Sequence, residues 1–494
     1  MTARLVCGID SSTQSTKVEL RGVEDGTLVA TGRALHPPTS PPVSEQDPGA
    51  WWDALLEALA HVAEHLGDVV AVAVAGQQHG LVVVDAGGRP VRNAKLWNDT
   101  TSAPQAVALT ERLGAEAWAR ACGLVPVASI TVTKLAWLAE HEPHNLARVD
   151  RVMLPHDYLT WRLCGEHVTD RGDASGTGWW SPRHGEYDAE LLATAVESAQ
   201  SWLPRLPRVL APDEPAGVMP SDLAEELGLQ AGVLVAAGTG DNMAAALGLG
   251  LRRGDVVVSL GTSGTVYASS DIPTADASGL VAGFADATGR YLPLVCTLNA
   301  TKVTDMVGRL LGVDPPRLAS LALEVPSDAA LVLVPYLDGE RSPNLPAATG
   351  LLTGLRTATT PADLSRAAHV GVLCNLLEGS DALCRAGVAV SGRRLLIGGG
   401  ARSPAYRQLA ADLWDHRVVV PQTEETVATG ACVQAATVVS GSAFDEVTTD
   451  WGLGAGTVVE PSGNVDAAAQ RAAYRTAASA AADLAAGPRT DSEV

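Results

Sequence analysis

The feature that most restricts the fold is a strand, a hydroxyl-bearing turn and a second strand, written twice in one chain. Arg4 to Leu20 runs apolar into a Ser/Thr/Gln turn and resumes as Lys17-Val18-Glu19-Leu20, and Asp255 to Ala268 places Gly261-Thr262-Ser263-Gly264 between two β-branched runs. The two hairpins stand roughly 250 residues apart, too far for a solenoid period, so a duplicated domain is expected. Trp51 to Leu66 has apolar residues spaced near 3.6 and ends at Gly67, and Asp68 to Ala75 reads as a buried strand. Helix followed by strand predicts α/β packing. Ala211 to Gly250 carries turns, a strand at Val233–Ala237, a glycine-rich turn and an alanine-rich helix from about Asn242. The boundary is placed at its end, giving domains 1–248 and 249–480, with 481–494 as a flexible tail.

Bulk properties exclude several classes. The 494 residues suffice for two large domains, and 46% hydrophobic with 18% charged residues is a globular balance. A net charge of −21 with no dense Lys/Arg cluster opposes a nucleic-acid partner. A polyanion such as ATP then needs a local site of backbone amides and metal. Seven cysteines scattered from Cys7 to Cys432, none at Cys-x-x-Cys spacing, point to neither zinc nor a disulfide framework. Asp10 interrupts any signal-peptide core and no apolar run reaches the length of a membrane span, so a cytoplasmic protein without membrane contact is expected.

Five stretches carry chemistry. In Asp10-Ser11-Ser12-Thr13-Gln14-Ser15-Thr16-Lys17 a carboxylate ends a buried strand ahead of hydroxyls and an amine, a set that can hold Mg²⁺ and phosphate; the alternative is a turn that caps itself. Gly261-Thr262-Ser263-Gly264 lets backbone approach a ligand, or is a plain hairpin tip. Gly398-Gly399-Gly400-Ala401-Arg402-Ser403, between a strand and a helix, can cup adenine and ribose, or permit tight packing. Gly238-Thr239-Gly240-Asp241-Asn242-Met243 imitates a dinucleotide fingerprint but puts Met243 at its third position and Asp241 where pyrophosphate would sit; Asp241 is either a helix N-cap or a cleft-facing base. Gly76-Gln77-Gln78-His79-Gly80, with Leu96-Trp97-Asn98-Asp99, supplies amide, imidazole and indole groups suited to a polyol, although a histidine in such a turn can be structural.

Together with "SEQDP", "TKLAWL", "LPHDYL", "TDRGDASGT", "PYLDGERSPN" and "IGGGARSPAYRQLAADL", these stretches resemble, in order and over nearly the whole chain, the FGGY family of carbohydrate kinases. That resemblance implies two actin/Hsp70-like (ribonuclease H-like) α/β domains, each with a five-stranded mixed sheet and flanking helices, closing on a central cleft. It implies transfer of phosphate from ATP, with Mg²⁺, to a sugar. Asp241 would be the catalytic base, and Asp10 the acidic residue beside Mg²⁺ and the phosphates. Gln78, His79, Trp97, Asp241 and Asn242 would bind the sugar. Ser12, Thr13, Lys17, Gly261, Thr262, Ser263, Gly399, Gly400, Ala401 and Ser403 would bind ATP. Gln78-His79 stands where glycerol-specific members have an Arg-Glu pair and resembles the ketose-specific branch. The expected substrate is D-xylulose, phosphorylated on its C5 hydroxyl; the alternatives are a kinase for another pentulose or polyol such as ribulose or a sugar alcohol, or a non-catalytic sugar-binding relative. Gln78, Thr101, Val370 and Ser12 replace the Met, Arg, Glu and Gly usual in that branch. A homodimer is the family-level expectation.

Overall fold

Seven residues, Leu5–Ser11 (β1), are buried along their whole length, as a strand covered on both faces requires. Around it, the computed structural model describes residues 4–325, 331–423 and 425–486. The chain forms two units. Residues through Arg252, with Ser269–Leu292 and Glu425–Gly454, make the first; Arg253–Ala268, with the described parts of Pro293–Glu424 and Ala455–Val494, make the second. The units are therefore not the contiguous halves 1–248 and 249–480. Two later segments return to the first unit, because its core is completed by them.

In the first unit β1 pairs antiparallel with Ser15–Gly22 (β2), which pairs antiparallel with Leu28–Leu35 (β3). On its other side β1 runs parallel to Val69–Gly76 (β4). Pro215–Val218 (β5) forms an edge antiparallel to Leu234–Ala236 (β6), and β6 and Thr239–Gly240 (β7) both run parallel to β4. Helix Pro48–Ala60 (α1) starts on an Asp47 cap that accepts from Gly49 N–H, and it buries Trp51, Trp52, Leu55 and Leu59. It stops short of the expected Leu66: Val62 leaves helical geometry at φ −119°, ψ 17°, and a 3₁₀ stretch takes Ala63–Asp68. Pro155–Cys164 (α2) and Asp241–Gly248 (α3) follow.

The second unit repeats the plan. Val256–Leu260 (β8) pairs antiparallel with Gly264–Ala268 (β9), which pairs antiparallel with Tyr291–Thr297 (β10). Long helix Pro361–Arg385 (α4), opened by a Thr360–Asp363 capping box, precedes Arg394–Ile397 (β11), parallel to β8. Pro404–Trp414 (α5) precedes Val418–Pro421 (β12), parallel to β11.

The chain then re-enters the first unit as Thr426–Ser440 (α6), which packs on α3, β1 and β4. Backbone meets backbone there. A Cβ on Gly8 would lie 2.1 Å from the Ala428 carbonyl oxygen, one on Gly248 2.0 Å from that of Thr426, and one on Gly430 1.9 Å from that of Ala244. Gly456–Val459 (β13) closes one edge of the second sheet, antiparallel to β12.

Each sheet thus contains the expected five strands in one order and sense, β3-β2-β1-β4-β6 and β10-β9-β8-β11-β12, and two further strands extend each to seven. Final helix Ala467–Ala486 (α7) buries Tyr474, Ala477 and Ala481 on one face, so 481–486 belong to it and not to a tail; 487–494 lie outside the described residues. All seven cysteines are free. Among the described residues no single helix is long and apolar enough to cross a membrane.

Candidate active site

Parallel pairing delivers three loops to one end of the first sheet. Across β4, Ala75 is in register with Asp10 of β1 and with Thr239 of β7, and Gly76 with Ser11 and Gly240. The chain therefore leaves β1 just after Asp10, leaves β4 at Gln77 and leaves β7 at Asp241, all at carboxyl ends, where ligands gather in open α/β sheets.

Asp10 is buried and in register with Lys17 of β2, whose Nζ lies 3.7 Å from Asp10 Oδ2 and 2.6 Å from Glu425 Oε2. The Ser12 hydroxyl donates to Asp10 Oδ1. Burial raises the Asp10 carboxyl above its ordinary value, against the lowering pull of Lys17 and Ser12. Ser12 N–H donates to the Ser15 carbonyl at 3.1 Å and closes the turn. Thr13 Oγ1 accepts from Trp97 Nε1 at 2.9 Å and donates to Gln77 Oε1 at 3.2 Å, so the hydroxyl turn, the tryptophan and the loop after β4 meet.

Two residues before Trp97, the buried Lys95 Nζ lies 3.2 Å from Asp99 Oδ1, 3.1 Å from Glu45 Oε1 and 2.6 Å from Thr101 Oγ1, and 3.8 Å from the centre of the Trp137 ring. Thr101 thus serves as one more acceptor for a cation already in place.

His79 adopts the left-handed region at φ +64°, and its ring stacks on Phe284 at 5.3 Å. Gly176 leaves room for that ring, since a Cβ there would lie 2.2 Å from His79 Cε1. Gln78 Oε1 accepts from Asn242 Nδ2 at 2.8 Å, while buried Gln78 Nε2 meets no hydrogen-bond partner among the described residues.

Asp241 is the first residue of α3, behind Gly240 at the N-cap position, so the N-cap alternative fails. Its Oδ1 accepts from the Asn242 backbone N–H at 2.8 Å and from Asn242 Nδ2 at 2.9 Å. Loss of surrounding water first, and the nearby Asp10 charge second, push this half-buried carboxyl up to about 7. A carboxyl that titrates near neutrality is suited to proton transfer at working pH.

In the second unit the carbonyls of Gly261 and Thr262 accept from Thr301 and Ala300 N–H at 3.0 and 3.1 Å, which fixes the β8–β9 tip. Thr262 is exposed and Ser263 half-buried. At the second glycine turn Gly399 is open, but Gly400 and Ala401 are buried, and the Ser403 hydroxyl accepts from Tyr406 N–H as the cap of α5. Gly399 and the hydroxyl tip therefore have free surface for a nucleotide, whereas Gly400, Ala401 and the Ser403 side chain are engaged in packing and capping.

Sequence reasoning missed Phe284, Glu425 and the buried acids behind the site. Phe284 is one of only two phenylalanines in the chain, a signal that went unused.

For Mg²⁺ the donor set is one buried carboxylate, Asp10, beside hydroxyls. That fits an ion which takes one or two protein carboxylates and completes its shell with phosphate and water.

A family profile described as the N-terminal domain of the FGGY family of carbohydrate kinases matches residues 5–248, and one for its C-terminal domain matches 256–439. A protein of Streptomyces coelicolor described as a xylulose kinase is 51% identical over 458 residues, 92% of each chain. Another of Escherichia coli, also described as a xylulose kinase, is 34% identical over 82% of this chain and 84% of its own. The crystal structure of xylulose kinase from Bifidobacterium adolescentis matches with a TM-score of 0.86 and 41% identity, covering 97% of this chain and 100% of that one.

Proposed function

The chain belongs to the FGGY family of carbohydrate kinases, and from that premise we propose that it phosphorylates D-xylulose on its C5 hydroxyl at the expense of ATP. The observation that carries this reading is Asp241: a carboxyl raised to about 7, first residue of its helix, beside Gln78 and Asn242 and on the same sheet end as Asp10.

The sugar would lie against His79, Gln78, Trp97 and Asn242. Asp241 would take the proton of the C5 hydroxyl as that oxygen bonds to the γ-phosphorus and the bond from phosphorus to the ADP oxygen breaks. Phosphoryl transfer asks mainly for placement and charge neutralisation. Asp10 would hold Mg²⁺, which neutralises phosphate charge when bound, and Ser12, Thr13 and Lys17 beside it would donate to phosphate oxygens.

Gln78 favours a second reading, a related pentulose or polyol. Its unpartnered Nε2 can serve an extra hydroxyl acceptor, and a site built to hydrogen-bond a hydroxyl discriminates strongly. ADP release from Mg-ATP with D-xylulose, L-xylulose, D-ribulose, L-ribulose, glycerol and pentitols decides. A dominant kcat/KM for D-xylulose supports the first reading, dominance of another acceptor the second, and silence across all of them overturns both.

A further inference from the structure

Behind the loops that bear Asp241 and His79 lies a buried ionic cluster that the reaction as described does not use. His156 of α2 is fully buried, and its Nε2 lies 3.2 Å from Asp157 Oδ1, 3.4 Å from Asp170 Oδ1 and 3.5 Å from Asp173 Oδ2. Burial alone would lower the imidazole, yet the three neighbouring carboxyl groups raise it to about 9, while burial pushes the Asp157 carboxyl up to about 6 and that of Asp173 well above its ordinary value. It is wedged under the site. A Cβ on Gly76 at the end of β4 would lie 3.0 Å from His156 Cβ, and one on Gly238 2.8 Å from its Nδ1.

Each acid has a different outer partner. Asp157 accepts from Leu154 N–H at 2.7 Å and caps its own helix. Asp170 accepts from Gly172 and Asp173 N–H at 2.7 and 2.9 Å, and from Thr239 Oγ1 at 2.7 Å, two residues before Asp241. Asp173 Oδ1 accepts from His79 N–H at 3.4 Å and lies 3.9 Å from His79 Nδ1. Burying charge is costly, and an apolar cluster of equal volume would serve stability as well or better, so packing alone does not account for these contacts.

We propose that Asp170 and Asp173, joined through His156, are positioning residues: Asp170 sets the turn that presents Asp241 by holding the Thr239 hydroxyl, and Asp173 sets the orientation of His79. Base and sugar-facing ring then share one internal reference, and neither acid touches substrate. The inference rests on the roles given above to Asp241 and His79. A base displaced by a fraction of an ångström loses alignment with the attacking hydroxyl, which lowers turnover more than ground-state binding.

The test uses the full chain with Mg-ATP and the sugar that the wild type prefers, and pairs kinetics with calorimetric melting of every variant. Thr239→Val removes the donor at constant shape and should lower kcat about tenfold or more while sugar KM moves less than about twofold; Thr239→Ser, which keeps the hydroxyl, should recover most of the loss. Asp173→Asn should instead raise sugar KM about fivefold or more and leave KM for ATP unchanged. Equal impairment of Thr239→Val and Thr239→Ser, unchanged kcat in Thr239→Val, or losses that track only the folded fraction would each overturn the inference while an active wild type preserves the functional reading. A wild type silent on every sugar overturns both.

Discussion

Replacing Gly430 by alanine puts a Cβ 1.9 Å from the Ala244 carbonyl oxygen, where real Cβ atoms essentially never come within 3.0 Å, so one of the two backbones must retreat by at least about 1.1 Å. No side chain can swing aside, because the next nearest atoms are the Ala244 carbonyl carbon at 2.7 Å and the Gly248 amide at 2.9 Å. Helix α6 is pinned on its other side by Gly8 against Ala428, so α3 carries the displacement. That helix begins with Asp241. Overpacking of this kind costs about 1–3 kcal/mol, and a misplacement near 1 Å at a reacting group costs about 10²-fold in rate. Melting by calorimetry and turnover with Mg-ATP and D-xylulose measure the two effects. Gly67→Ala is the control, since nothing lies within 4 Å of a Cβ there. A Gly430→Ala protein that melts and turns over like the wild type refutes the packing argument, and one that melts lower at unchanged kcat refutes the link from α6 through α3 to the base.

Three further outcomes are expected. Asp241→Ala should lose about 10²–10⁴-fold in kcat with sugar binding by titration calorimetry largely intact, and near-normal turnover would remove it from the role of base. Asp10→Ala should raise the Mg²⁺ concentration needed for half-maximal rate at fixed ATP, and an unchanged Mg²⁺ curve would place the ion elsewhere. His156 binds its proton more tightly folded (about 9) than at its ordinary 6.5, so its contribution to stability is complete below 6.5 and is lost as pH rises towards 9. The melting temperature should fall across that window and flatten in His156→Gln; a flat wild-type curve argues that the ring is neutral.

Strand positions were legible where local pattern alone decides them. The β1–β2 and β8–β9 hairpins follow from β-branched runs around a polar tip, and their likeness exposed the duplication that the shared strand order bears out. Asp10, Gln78, His79 and Asp241 were legible as candidates because each ends a recognisable strand. Their second neighbours were not. Thr239 and Asp170 are 69 positions apart, and Lys17 and Glu425 are 408, so only the fold joins them. Asp157 and Asp170 each serve as ordinary helix-start acids, which conceals their shared contact with His156. The return of 269–292 and 425–454 to the first unit was equally hidden, since nothing in the composition of a helix says which sheet it will cover.

That return has a consequence for how the protein is made. The face of β1 and α3 that α6 covers is complete in sequence by residue 248, but its cover ends at Ser440. At about 5–20 residues per second on the ribosome, roughly 10–40 seconds separate the two. For that interval the nascent first unit presents Gly8 and Gly248 on a bare, small-residue surface shaped for a helix not yet synthesised. The first unit therefore cannot close its core until roughly nine-tenths of the chain has been made, and most of the second unit is translated while the first still waits.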